Sequence, residues 1–339
     1  MRWYELKIRR YEHGRWAQEP DRRVLPFAWG LDHIGGSAGD PEPRAFLDRF
    51  AEQTIAASDA WYAATPAADY ALDDSENVLT FTSQVASPWP ENNRVYGQFF
   101  RASSGGPAAI VLAQWNARWE EQQGLCRWLN RLGITALKLS LPYHDRRAVP
   151  GHPRADHLIG PNIGLTLQAN HQAVLDVRRA ILWLDQQGYD RLGIVGTSVG
   201  SAIAFVTLCH EPRLRAGAFL HVSTHYGDVV PNGLTTMNVW ESLRAKVSPA
   251  ELQRYWSPIS PFPYIAKLRG ARKKILAIHA RYDPTFWPEL TRELLQKMRA
   301  EEVTFDECAL PCGHYSLGVA PFSYIAGYRV GASLFRALA

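Results

Sequence analysis

From about residue 109 onward, short continuous apolar runs alternate with longer segments of helical period. Ala109–Ala113, Ile134–Leu141, Leu192–Val195, Ala216–Val222, Ile275–His279 and Val303–Ala309 read as strands. Between them, Trp119–Leu132, Leu167–Gln187, Ser201–Cys209 and Glu289–Ala300 read as helices, and Ser323–Ala337 closes the chain as another. Gly133 and Gly188 stop the first two. Strands that are apolar on both faces can leave neither face in water. The pattern therefore predicts an α/β fold, a mostly parallel central sheet covered by helices on both faces. Two further runs, Val78–Ser83 and Val95–Phe100, read as strands ahead of it, separated by the turn-rich stretch Pro88-Trp89-Pro90-Glu91-Asn92-Asn93.

Composition narrows the partners. The 339 residues are 46% hydrophobic and 21% charged, as expected of a globular chain. A net charge of +4 is too small for the concentrated basic face of a nucleic-acid binder. No apolar run approaches the ~18–20 residues of a membrane span. The N-terminal Met-Arg-Trp-Tyr-Glu-Leu-Lys-Ile has charges interrupting every apolar pair, so no secretory signal is read there. With only Cys126, Cys209, Cys308 and Cys312, the expected location is the reducing cytoplasm. Cys308, Cys312 and His314 match no strong zinc spacing, and neither do the histidines between 144 and 157. No metal or organic cofactor is expected. The sequence carries no signal for an oligomeric state.

The first 75 residues read as an extension packing on a catalytic domain that spans 76–339. Tyr4, Leu6 and Ile8 alternate with Glu5, Lys7 and Arg9, the period of a half-buried strand, and His13-Gly14 reads as a turn out of it. Val24–Trp29 is a second extended run, Gly35–Pro43 a loop and Arg44–Tyr62 a helix. An insertion at about 224–272, rich in Trp, Tyr, Phe and Pro, interrupts the alternation. It follows a strand's C-terminal end, where a cap over a pocket would lie.

The sharpest motif is Gly196-Thr197-Ser198-Val199-Gly200, set between a strand and a helix. A chain turning that sharply leaves the serine strained, its hydroxyl projecting from the sheet, and the positions two before and two after it must be small. A serine needs a base, and the base needs an orienting acid. Asp283 follows the strand ending at His279, and His314 follows the last strand, so the chain order is Ser198, Asp283, His314. Each has a plainer reading: Asp283 before Pro284 is a favoured turn initiator, and a lone loop histidine is usually surface. An oxyanion hole needs two backbone N–H groups; Val199 supplies one, and Trp115 is the expected second, ahead of Asn116.

From about residue 76 these motifs resemble the α/β-hydrolase superfamily: Gly196–Gly200, Tyr282-Asp283 and Gly313-His314, each at its topological position. The stretch Asp176–Gly200 resembles the branch of α/β-hydrolase domain-containing protein eighteen. One departure is Ala113-Gln114, where the superfamily usually carries His-Gly. The resemblance implies a serine esterase acting through an acyl-enzyme on Ser198, with a small-molecule or lipid-like ester as substrate. Thioesterase, peptidase, lipid deacylase and acyltransferase chemistry run on the same apparatus. A non-catalytic binding protein, using the aromatic extension (Trp3, Tyr4, Trp16, Phe27, Trp29) as an interface, is the reading from another class. Asn116, Tyr143, Arg146 and Trp240 are the expected substrate contacts, with Arg146 or Arg147 recognising an anionic acyl group; the alternative for that charged loop is a solvated face of local ion pairs.

Overall fold

The computed structural model describes residues 2–19 and 21–339. Its apolar runs assemble into a sheet of nine strands: β1 Ala71–Asp73, β2 Val78–Thr82, β3 Arg94–Phe100, β4 Pro107–Leu112, β5 Thr135–Leu139, β6 Arg191–Thr197, β7 Leu214–Leu220, β8 Lys274–Ala280 and β9 Asp306–Leu310. The order across the sheet is β1-β2-β3-β5-β4-β6-β7-β8-β9. The pairs from β1 to β5 are antiparallel, and every pair from β5 through β4 to β9 is parallel.

Side chains alternate across each strand and build two cores. Along β4, Ala109 and Val111 join one cluster, while Ala108, Ile110 and Leu112 join the other. The first cluster is covered by α4 (Gln123–Arg131) and α11 (Phe322–Leu338). The second is covered by α5 (Ile163–Gln186), α6 (Val199–His210) and α10 (Pro288–Ala300). α6 is buried at every position except Cys209, which is why its sequence lacks a polar face. No helix among the described residues is long and apolar enough to cross a membrane. The insertion between β7 and β8 folds as α7 (Tyr226–Asn232), α8 (Met237–Leu243) and α9 (Pro249–Tyr255), joined by short 3-10 turns.

The N-terminal region departs from the expected strands. Residues Arg2–Ala17 form a helix, α1, and His13-Gly14 lies inside it. The period-2 alternation of charge is compatible with a helix that buries a narrow stripe. Ile8 and Glu12, four apart, are buried, while Trp3 and Leu6 point to solvent. Glu5 and Arg9 pair at 2.8 Å across one turn. The run Val24–Trp29 makes a single bridge, Ala28 to Asn162, in place of a strand ladder. The expected helix at 44–62 is two, α2 (Pro43–Ala56) and α3 (Ser58–Trp61), broken at Ala57. β1 joins the sheet within the first 75 residues, and Leu31, Leu47 and Tyr62 are part of the main core.

The loop after β5 is held by a buried charge. Arg147 is fully enclosed; its Nη2 donates to Asp176 Oδ2 at 2.8 Å and to Asn92 O at 2.7 Å, and its Nη1 donates to Ser140 O at 3.0 Å. Asp176, on α5, also accepts from Ser83 Oγ at 2.6 Å. Arg147 is thus a structural residue and not the anion-recognising group expected of it. Replacing Asp176 alone leaves a guanidinium buried without its counter-charge. Asp176→Ala is expected to lower unfolding stability by about 3–5 kcal/mol, and Arg147→Met combined with Asp176→Leu to recover much of that loss. Urea unfolding of the three proteins checks this; a single variant as stable as the native protein contradicts it.

Candidate active site

Ser198 is the one residue between the end of β6 and the start of α6. Its φ of 55° and ψ of −122° lie where a residue with a Cβ is strained. The flanking glycines make that turn possible. A Cβ on Gly196 would sit 2.2 Å from Gly200 O, and one on Gly200 would sit 2.4 Å from Ala113 O. Ser198 N–H donates to Leu220 O at 2.8 Å, tying the turn to the end of β7. The hydroxyl opens on a cleft of about 1430 Å³, walled in part by the insertion through Tyr226, Val229 and Pro261.

Asp283 and His314 come from the loops after β8 and β9, and the structure brings both to Ser198. Ser198 Oγ lies 3.0 Å from His314 Nε2, and His314 Nδ1 lies 2.9 Å from Asp283 Oδ2. An ionised carboxylate only accepts, so Nδ1 carries the hydrogen and Nε2 presents its lone pair to the hydroxyl. Asp283 is a turn initiator as well: its Oδ1 accepts from Thr285 N at 2.8 Å and Phe286 N at 2.9 Å. Burial favours the neutral acid, but the charge of His314 and contacts with both histidines hold Asp283 well below the usual carboxylate range. Burial alone would lower His314; the charge and hydrogen bond of Asp283 outweigh it and leave His314 above its ordinary 6.5. The arrangement can pass a proton from the serine to the imidazole and hold the resulting cation.

His221, just past β7, is a member of this group that the sequence reading missed. Its ring lies 4.3 Å from that of His314, and its Nδ1 is 2.9 Å from Asp283 Oδ2. The distance is that of an ion pair, but Nδ1 does not meet hydrogen-bond geometry. Burial, then the charge of His314, pushes His221 below its ordinary value. A neutral His221 packs against His314 without competing for the counter-charge of Asp283. The signal available in sequence was the polar residues His221, Ser223 and Thr224 directly after an apolar strand.

Val199 opens α6, so its N–H is one of the helix's first unpaired donors. The Trp115 backbone N–H has no acceptor among the described residues, while its indole N–H donates to Ala155 O at 3.0 Å. Asn116 N–H is not free: it donates to His144 Nε2 at 2.8 Å, with His144 Nδ1 on Pro142 O at 2.8 Å. Burial lowers His144 to about 4, so the ring is neutral and able to accept. Asn116 Oδ1 is also committed, accepting from Ala155 N at 2.8 Å. Asn116 lines the cleft with its N–H and its Oδ1 both committed within the loops.

Three expected substrate contacts lie elsewhere. Tyr143 is buried against Trp89 and His157, and its N–H donates to Asn92 Oδ1 at 2.9 Å. Arg146 is on the surface, paired with Glu76 at 3.2 Å and stacked on Trp119 at 4.7 Å. Trp240 is half-buried against the core, outside the cleft lining. Loop membership put Tyr143 and Arg146 near the rim, and the cap insertion put Trp240 there, but the loop's path turns the first inward and the second away.

The N-terminal helix reaches the site instead. Glu12 on α1 is fully buried, and its carboxylate accepts from Tyr315 N at 2.7 Å and Ser316 N at 2.9 Å, the two residues after His314. A Cβ on Gly313 would meet the Glu12 side chain at 2.5 Å, so the glycine before His314 lets the clamp close. Read along its own helix, Glu12 looks like one more surface charge.

No protein-family model matches the sequence, and no curated protein is matched by it. Solved structures do match, and the fold is that of the α/β-hydrolases. An esterase from Pyrococcus furiosus superposes with a TM-score of 0.55 at 16% identity, over 80% of this chain and 92% of the esterase. An acylaminoacyl peptidase from Pyrococcus horikoshii gives 0.57 at 13% identity, over 76% of this chain and 41% of the peptidase. A puromycin-hydrolysing peptidase from Mycobacterium tuberculosis gives 0.57 at 11% identity, over 76% and 41%. The chain spans less than half of either peptidase. At these identities the likeness is one of fold.

Glu12→Gln removes a negative charge beside His314 and turns one of the two carboxylate oxygens that accept backbone N–H groups into a donor. The anion favours the imidazolium, so its loss is expected to lower the pH at which His314 titrates. The imidazole chemical shift followed through a pH titration reads this; an unmoved midpoint shows that Glu12 does not act on His314.

Proposed function

We propose that this protein is a serine hydrolase that cleaves carboxylic esters through an acyl-enzyme on Ser198. The observation that carries the reading is the continuous chain Ser198 Oγ, His314 Nε2, His314 Nδ1 and Asp283 Oδ2, at 3.0 and 2.9 Å, on a strained turn facing a cleft. His314 takes the hydroxyl proton as Ser198 Oγ bonds to the ester carbon. The N–H groups of Val199 and Trp115 face the oxyanion that develops. The alkoxide leaves with the proton from His314, and water, deprotonated by the same nitrogen, releases the acid. Asp283 keeps His314 in the required tautomer throughout.

Peptidase activity is the second reading, because the same relay protonates an amine leaving group and two of the structural neighbours carry that name. The narrower resemblance, to the branch of α/β-hydrolase domain-containing protein eighteen, belongs to this proposal too and rests on Asp176–Gly200 alone. Its cytoplasmic location likewise rests on four cysteines that form no disulfide.

Ser198→Ala is expected to lower kcat on p-nitrophenyl esters by on the order of 10⁶, and a fluorophosphonate probe to label the native protein at Ser198. A folded native protein that turns over esters, thioesters and amides alike at the uncatalysed rate, and takes no label, overturns the reading. Because His314 must be neutral to act and is held above its ordinary 6.5, kcat/KM is expected to fall with decreasing pH through a midpoint above that value. A pH–rate profile that stays flat to pH ~4 removes histidine as the base.

A further inference from the structure

We propose that the cleft over Ser198 takes an ester whose acyl chain ends in a carboxylate, held by Arg22 and Arg154; this rests on the hydrolase reading and names its substrate class. Both arginines line the cleft, and both side chains are more than nine-tenths buried, at 8% and 7% exposed. They converge on one side of the cleft, where both meet the same oxygen of Glu19. Arg22 Nη2 lies 3.0 Å from the hydroxyl of Tyr315, the residue after His314. Arg154 stacks at 5.0 Å on the ring of Trp115, in the loop facing the oxyanion.

Their internal partners do not satisfy them. Arg22 Nη2 and Arg154 Nη1 share one oxygen of Glu19, at 2.6 and 3.3 Å, and Arg154 Nε meets Asp156 at 3.3 Å. Arg22 Nη1 donates to Thr235 O. Arg22 Nε and Arg154 Nη2 are left buried without an acceptor. The Glu19 carboxylate, which also accepts from Tyr315 OH at 2.9 Å, is the exposed member of the group at 36%. Three donors therefore converge on a carboxylate position whose present occupant is the part most open to solvent. Five arginines and three carboxylates line the cleft as a whole, which favours an anionic guest. Guanidinium forks match a carboxylate's two oxygens, and neither an alcohol nor an alkyl chain can replace that match.

The chemistry at Ser198 is unchanged by the substrate's tail. The serine oxygen bonds to the acyl carbon, the leaving oxygen departs with its bonding pair, and water then releases a free dicarboxylate.

The test compares p-nitrophenyl hemiglutarate with its uncharged branched isostere, the p-nitrophenyl ester of isoheptanoic acid. One enzyme preparation is used for both, so the ratio of kcat/KM cancels differences in folding. The native protein is expected to prefer the hemiglutarate by roughly tenfold or more, and Arg22→Met and Arg154→Met each to collapse that ratio. Where an arginine variant does not fold, Glu19→Ala carries the test: it vacates the shared donors and is expected to raise the ratio. A native preference for the uncharged ester, or a ratio that none of these variants moves, overturns the proposal. If neither ester is hydrolysed and the fluorophosphonate leaves Ser198 unlabelled, the hydrolase reading fails by itself. Calorimetry with glutarate then decides the anion site: binding that weakens in the arginine variants supports it, and equal or absent binding ends it.

Discussion

The bend between β6 and α6 is the constraint on which the site depends. A non-glycine residue held at that φ and ψ costs about 1–3 kcal/mol, which only a surrounding structure can impose. α6 imposes it by being enclosed almost everywhere, so the helix cannot slide to relax the turn. The absence of a Cβ at Gly200 lets the helix start press against Leu112 O and Ala113 O at the end of β4. That one approach sets Val199 beside the loop carrying Trp115. The Ser198 N–H on Leu220 O fixes the turn against β7, whose next residue, His221, packs on His314. Ser198, the Val199 N–H and the Trp115 loop are therefore positioned by contacts around a single bend.

Electrostatics in the site follow from one buried carboxylate with several claimants. Asp283 accepts two backbone N–H groups on one oxygen and faces both imidazoles with the other. That much donation keeps it ionised despite burial. Two imidazolium rings at 4.3 Å would repel, so the proton settles on His314, which has the hydrogen bond, and His221 remains neutral. Glu12 adds a second anion behind the His314 loop, delivered by a helix some three hundred residues away in the chain.

Arginines of one loop meet three different fates. Arg146 is a solvated ion pair, Arg147 a buried structural charge and Arg154 a wall of the cleft. Nothing in the residues themselves distinguishes them. The distinction arises from what faces each one: Glu76 at the surface, Asp176 on α5, and Glu19 with Trp115 at the cleft.

The division between chain and fold follows the range of the forces involved. Continuous apolar strands, helix periods and Gly196, which makes room for Gly200 O, answer to neighbours within a few residues, so the sheet, its covering helices and the bend could be read in order along the chain. α1 could not, because its alternating charges satisfy a strand and a one-stripe helix equally, and the choice was made by what Ile8 and Glu12 find to pack against. Tyr143 and Arg146 end away from the cleft for a related reason: a loop's neighbours in sequence say where it starts, and Trp89 and Glu76, contacts of long range, say where its side chains end. Residue identity carries the reactivity of a serine, a histidine or an arginine; only three-dimensional packing assigns each its partner, its charge state and its access to a ligand.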